Sequence, residues 1–277
     1  MYPRPTTDHP AAAEFQPIVL CGPGSALLPI TATTPKALLP VAGKPQLHYA
    51  LQWLDASPLV RDTLVIACAS SADQITAYLR TLDPTRRPEL VSVDDKLGPA
   101  AALRKAHALG KMRAKLHPIV MAVDAVPSDP LASLLDAFKL HSAAALALLF
   151  PAAADNSDHL VGLAPLPVLP TGSSPALSLV HRLVLSSPLA GVGKHANFPV
   201  RLDMVREFPS VRLAKLVDAH LYIMRNWVAD VLVGERPDLD TALEGLAAKV
   251  AAATSLQHDL MPWIIRAQFS PAAHALC

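Results

Sequence analysis

At 277 residues the chain is long enough to bury a substantial core within one large domain. Hydrophobic residues at 52% against charged residues at 17% exclude an intrinsically disordered chain, and no apolar run reaches the roughly eighteen residues that a membrane span needs. A net charge of +1, from 24 basic and 23 acidic side chains, leaves no chain-wide electrostatic footprint for direct nucleic-acid or anionic-lipid binding.

The chain opens on Met1 to Glu14, a segment without the apolar region of a signal peptide, which reads as a flexible arm. Cys21, Cys68 and Cys277 show neither metal-ligand spacing nor an even disulfide framework. They read as core thiols of a reducing, cytoplasmic compartment. Phe15 to Cys21 is a β-prone run leading into Gly22-Pro23-Gly24. Beyond Lys44-Pro45, apolar residues at 47, 50, 51 and 54 have helical spacing and predict a helix over Gln46 to Leu54. A strand over Asp62 to Cys68 and a helix from Ala72 to Leu82, stopped before Pro84, follow. Glu89 to Val93 predicts a third strand, Ala100 to Leu109 a helix ended by Gly110, and Pro118 to Val123 a fourth strand closing on Asp124.

Alternating strands and helices predict an α/β fold with a Rossmann-like, mostly parallel mixed sheet and helices on both faces. In such sheets ligands bind beyond the carboxyl ends of the strands, where Gly22 to Ser25, Gly98 and Asp124 all fall. Ala143 to Phe150 reads as a buried strand ended by Pro151, and residues 151–175, rich in Pro, Ala, Gly, Ser and Asp, as a loop-rich insertion. Structure resumes over Leu177 to Ser186, then Arg212 to Val217 and His220 to Trp227, with helices near Ala229 to Val233 and Leu239 to Ala253. One domain over 15–270 with a tail at 271–277 accounts for the pattern. Trp227, Trp263 and Phe269 are read as core.

The order Val19-Leu-Cys-Gly-Pro-Gly-Ser-Ala26, then Thr34-Pro-Lys36-Ala-Leu-Leu-Pro-Val41, then Gly43-Lys44-Pro45 resembles the signature of the sugar-nucleotide pyrophosphorylases, and so implies the nucleotidyltransferase fold. Working members carry consecutive glycines and an arginine in this loop. The glycines let backbone N–H groups close on a triphosphate, and the arginine neutralises charge on departing pyrophosphate. Here a glycine is missing, Pro23 removes a donor, and Ala26 stands in the arginine slot. Losing one preorganised donor costs on the order of 10²–10³ in rate. The resemblance therefore implies a pseudoenzyme, with no catalytic residue assigned.

By the same resemblance Leu20, Gly22, Gly24, Ser25, Lys36, Gly98 and Asp124 form a degenerate nucleotide pocket, and Lys44 faces a sugar phosphate. Leu97-Gly98-Pro-Ala-Ala-Ala-Leu-Arg104 resembles the loop that faces the base. Lys36 and Lys44 have an alternative reading as solvated loop charges. Asp124 matches the first metal-binding aspartate of the family, or else caps the segment beginning at Pro127. A second metal carboxylate and the sugar-phosphate strand of active members are not found; Trp53-Leu-Asp55 imitates the former inside an early helix and lacks its glycine.

Leu216-Val-Asp-Ala-His-Leu-Tyr-Ile223 and Asp259-Leu-Met-Pro-Trp-Ile-Ile-Arg-Ala-Gln-Phe-Ser270 resemble the gamma subunits of eukaryotic translation initiation factor 2B. Members of that family pair with an epsilon subunit to form the catalytic part of a guanine nucleotide exchange factor acting on initiation factor 2, beside alpha, beta and delta subunits. The resemblance implies a scaffold and substrate-contact role that requires no cofactor, with GTP or a sugar phosphate, and Mg, as regulatory ligand of a surviving pocket. Complete members continue into a left-handed β-helix of hexapeptide repeats, which this sequence lacks, so the N-terminal domain alone is expected. A residual sugar-1-phosphate nucleotidyltransferase and a nucleotide sensor without turnover are the competing expectations.

Overall fold

The computed structural model describes residues 13–151, 159–166, 180–188, 200, 202–236 and 246–269. The period-2 pattern of the strands decides the architecture. In β1 (Phe15–Cys21), Phe15, Val19 and Cys21 point to one side of the sheet and Ile18 and Leu20 to the other. Both sides are apolar, so both must be covered.

The first side carries α1 (Gln46–Leu54), α2 (Ala72–Leu79) and α4 (Leu131–Leu140), which bury Leu47, Leu51, Leu54, Ile75, Leu135 and Phe138 against β1, β4 (Leu64–Cys68) and β6 (His117–Ala122). The opposite side carries α3 (Pro99–Ala108), α6 (Asn226–Val233), α7 (Leu246–Ala251) and α8 (Met261–Ala267). Trp263 is buried there and meets Trp227 edge to face at 6.4 Å. Phe269 packs on Phe208 in a smaller cluster with Ala164, Val184 and Met204.

The central sheet runs β5 (Glu89–Val93), β4, β1, β6, β10 (Arg212–Met224), β8 (His159–Pro165), β9 (His181–Pro188), with β7 (Ala145–Pro151) also paired to β10. Pairings among β5, β4, β1 and β6 are parallel, whereas those of β10 and β9 with their neighbours are antiparallel. The sheet is thus mixed, with helices on both faces, and its parallel half is the N-terminal one. A small antiparallel ribbon, β2 (Pro40–Val41) and β3 (Lys44–Pro45), precedes α1, and α5 (Leu202–Glu207) precedes β10.

Several expectations change. Residues 151–175 are not all loop, because β8 lies within them and pairs with both β9 and β10. Arg212 to Val217 and His220 to Trp227 are not two elements. One strand runs through both, and its register shifts between Asp218 and Tyr222, where His220 takes a left-handed φ of 54°. Trp227 belongs to α6. The Ala143 to Phe150 run is only half-buried, because β7 lies off the main strand order and Phe150 is exposed. Residues 239–245 of the expected Leu239 to Ala253 helix, residues 271–277 and most of the N-terminal arm lie outside the described residues. Glu14, the last residue of that arm, is tied into the fold by its N–H to Leu59 O at 2.9 Å and an ion pair with Lys139 at 2.7 Å.

Candidate functional site

β1 lies between β4 and β6, with Leu20 opposite Ile66 on one side and Ala122 on the other. The Leu20 carbonyl accepts from Val123 N–H at 3.1 Å, which fixes the chain just beyond β6 and brings Asp124 beside the loop that leaves β1. That loop descends through three short 3₁₀ turns, Ser25–Leu27, Ile30–Ala32 and Lys36–Leu38, and the last returns Lys36 to the start. Lys36 Nζ meets Asp124 Oδ2 at 2.6 Å, with the two side chains 24% and 42% exposed. Asp124 caps no helix: α4 begins only at Leu131, and no side chain caps it.

Gly24 makes this return possible. Its φ of +67° is left-handed, and a Cβ there would stand 2.9 Å from Lys36 Cβ and 3.0 Å from Thr31 Cγ2. Thr31 Oγ1 donates to the Gly24 carbonyl at 2.9 Å and closes the turn. Gly22 has open space on its Cβ side. Ser25 starts the first turn, its carbonyl accepting from Leu28 N–H at 3.4 Å. Leu27 N–H goes to the Gly24 carbonyl at 2.9 Å. Two donors of the first turn are thus spent on its own carbonyls, and Pro23 and Pro29 have none. Leu27, Leu28 and Ile30 are exposed. The turn that would cradle a triphosphate presents an apolar rim.

Among the described residues neither Lys44 nor Gly98 contacts the Lys36–Asp124 pair. Lys44 sits exposed on the β2–β3 ribbon with Nζ 3.2 Å from His48 Nε2. Gly98 follows the edge strand β5, three strand spacings from β6, or roughly 14 Å. Its Cβ side is filled by the backbone carbonyl of Thr254, which accepts from Ala100 N–H at 3.1 Å. Arg104 Nη2 donates to Ala253 O at 2.6 Å, so the C-terminal segment lies over the start of α3, where the resemblance places a nucleotide base.

Sequence reading treated Cys21 as core alone. It is buried, and it also adjoins the charged pair. Burial pushes its thiol up to about 12, with further upward pressure from Cys68 and Asp124 and a downward pull from Lys36. Its place at the last residue of β1 was the available signal. Among the described residues no group of three His, Cys, Asp or Glu side chains is placed to hold a metal ion. A Mg²⁺ arriving on nucleotide phosphates needs only one or two protein carboxylates, and Asp124 fits that role once Lys36 is displaced.

A strand–loop–helix opening whose glycine turn lies at the carboxyl ends of parallel strands, beside a strand-end aspartate, is the arrangement of a nucleotidyl transferase. The chain belongs to this family: the nucleotidyl transferase family model matches residues 16–160. The solved structure of a UDP-glucose pyrophosphorylase complexed with UDP-glucose has the same fold, with a TM-score of 0.58 at 13% identity, covering 91% of this chain and 88% of that one.

Within the family, the chain is 28% identical over 270 residues to translation initiation factor eIF2B subunit gamma of Schizosaccharomyces pombe, covering 92% of this chain and 52% of that protein. The likeness read from the Leu216 and Asp259 segments therefore extends along almost the whole chain, which spans about half the length of this relative. A shorter match, 35% identical over 88 residues, joins it to a putative mannose-1-phosphate guanyltransferase of Sulfolobus acidocaldarius, covering 31% of this chain and 24% of that protein. No helix among the described residues is long and apolar enough to cross a membrane.

Proposed function

We propose that the chain is a non-catalytic scaffold subunit of a cytoplasmic guanine nucleotide exchange factor for translation initiation factor 2, working in complex with an epsilon subunit. The observation that carries this reading is the state of the phosphate turn. The Leu27 and Leu28 N–H groups close on the turn's own carbonyls, Pro23 offers none, an alanine stands in the arginine position, and Lys36 is neutralised by Asp124. Nucleotidyl transfer needs the opposite, namely N–H groups and positive charge aimed at the oxygen that leaves with pyrophosphate. The relationship to a gamma subunit over 92% of the chain supplies the assembly context. Alpha, beta and delta subunits complete the proposed assembly.

In this reading Leu20, Gly22, Gly24, Ser25, Lys36 and Asp124 form a degenerate pocket that takes GTP or a sugar phosphate, with Mg, as a regulatory ligand without turnover. Gly98 packs against the Thr254 backbone, and Lys44, on the β2–β3 ribbon, stands beside His48. Co-expression with an epsilon subunit is expected to yield a stable complex with faster GDP release from initiation factor 2 than epsilon alone. A chain that stays monomeric beside epsilon and leaves exchange unchanged overturns the proposal.

The guanyltransferase relative and the Lys36–Asp124 pair favour one alternative, a residual sugar-1-phosphate nucleotidyltransferase. Pyrophosphate release from GTP or UTP in the presence of a hexose 1-phosphate decides between the two.

A further inference from the structure

At the opposite end of the parallel strands from the phosphate turn lies a cavity of about 420 Å³. Its walls are the amino ends of β1, β4 and β5 and the lead-in to β6, so the length of β1, about 20 Å, separates it from Lys36 and Asp124. Five cations line it: Arg61, Arg86, Arg87, Lys111 and Arg113. Three carboxylates, Asp55, Asp62 and Glu89, line it too.

Each carboxylate already has a cation. Asp62 Oδ2 takes Arg113 at 3.1 Å and Arg61 at 3.9 Å, Glu89 pairs with Lys111, and Asp55 feels Arg86. Arg87 turns one nitrogen, Nη2, to the Arg80 and Leu82 carbonyls at 3.1 and 3.3 Å. The lining therefore carries a surplus of positive charge.

The floor is rigid. Gln16, only 3% exposed, donates Nε2 to Asp62 O at 3.1 Å and to Lys111 O at 2.9 Å, and its Oε1 accepts from Arg113 N–H at 2.7 Å. This buried amide clamps the three backbone points from which Asp62, Lys111 and Arg113 project, so their spacing is set before any ligand arrives. The volume lies within the few hundred Å³ of small-molecule sites, and a net charge of +1 gives the chain no overall positive field to favour a nucleic acid.

We propose that this cleft binds a compact polyphosphate anion, a small phosphorylated metabolite held through a diphosphate-like group by Arg86, Arg87 and Arg113. Bound there, it brackets the 83–88 turn and the lead-in to β6, linking the α2–β5 connection to the strand that precedes Asp124.

Calorimetric titration of the whole chain with inorganic pyrophosphate at low ionic strength tests this. Saturable binding is expected, weaker for inorganic phosphate, absent for acetate, and reduced by added salt. An Arg86→Ala/Arg87→Ala variant is expected to weaken it roughly tenfold or more, and Arg86→Glu alone serves where the double change disturbs the turn. Lys249→Ala, an exposed change on α7 outside the cleft lining, is expected to leave it unchanged. Absence of binding at millimolar pyrophosphate, binding insensitive to both arginine variants, or binding lost in Lys249→Ala overturns the proposal.

Discussion

The carbonyl oxygen of Thr254 stands 2.4 Å from the point where a Cβ on Gly98 would sit, and the same oxygen accepts the Ala100 N–H at 3.1 Å. The start of α3 and the segment leading to α8 are thus locked backbone to backbone, and neither can yield as a flexible side chain would.

Gly98→Ala is therefore expected to cost about 1–3 kcal/mol through forced displacement of the 253–255 segment. That is a fall of several degrees in Tm by calorimetry. Gly24→Ala is expected to destabilise similarly, through its left-handed φ of +67° and its closeness to Lys36. Gly22→Ala, with open space around it, is the matched control and should melt with the parent.

The Lys36–Asp124 pair is partly exposed, so its worth to the fold is small. Lys36→Ala is expected to change stability by no more than about 1 kcal/mol in denaturant melts. Its effect should appear in ligand binding instead. If GTP with Mg occupies the proposed pocket, calorimetry should show weaker binding in Lys36→Ala and loss of the Mg dependence in Asp124→Ala. Variants that bind like the parent would remove both residues from the site.

Two groups make the fold lose stability on acidification, each in its own pH range. Asp259 accepts N–H groups of Ser255 and Thr254, each at 2.8 Å, and these bonds hold its carboxyl below the ordinary range. That stability is present above the unfolded value of about 3.9 and is lost as pH falls through the lower folded one. Asp259→Ala should cost about 1 kcal/mol at neutral pH and flatten the acid limb of the stability curve.

His117 is lowered first by burial and then by Arg225, and its Nδ1 accepts the Asn226 N–H at 3.2 Å, so the neutral ring is the folded form. Its contribution is complete above about 6.5 and declines as pH falls through the lowered folded value. Denaturant midpoints measured from pH 8 to pH 5 should decrease in the parent and less in His117→Phe.

Cys21 should resist alkylation. A thiol pushed up to about 12 carries almost no thiolate at pH 8, and burial withholds it from reagent. Mass spectrometry after iodoacetamide is expected to find it unmodified in the native chain and labelled after denaturation. Rapid native labelling would mean that the end of β1 opens locally.

The sequence by itself determined the parallel half of the fold. Phe15 to Cys21, Gln46 to Leu54 and Glu89 to Val93 stand where periodicity placed them, because apolar spacing, Pro45 and Gly110 are local signals read within one element. It also carried the family likeness, since ordered motif residues survive in the text whatever their geometry. The tertiary structure alone decided the rest. Whether Lys36 faces a phosphate or an aspartate depends on β1 and β6 being neighbours, and whether Gly98 borders a base or a backbone depends on a segment over 150 positions later. The cation cleft gathers Arg61, Arg86 and Arg113 from three connections that share no pattern along the chain. Pairings of this kind are properties of strand order, which one-dimensional spacing does not encode.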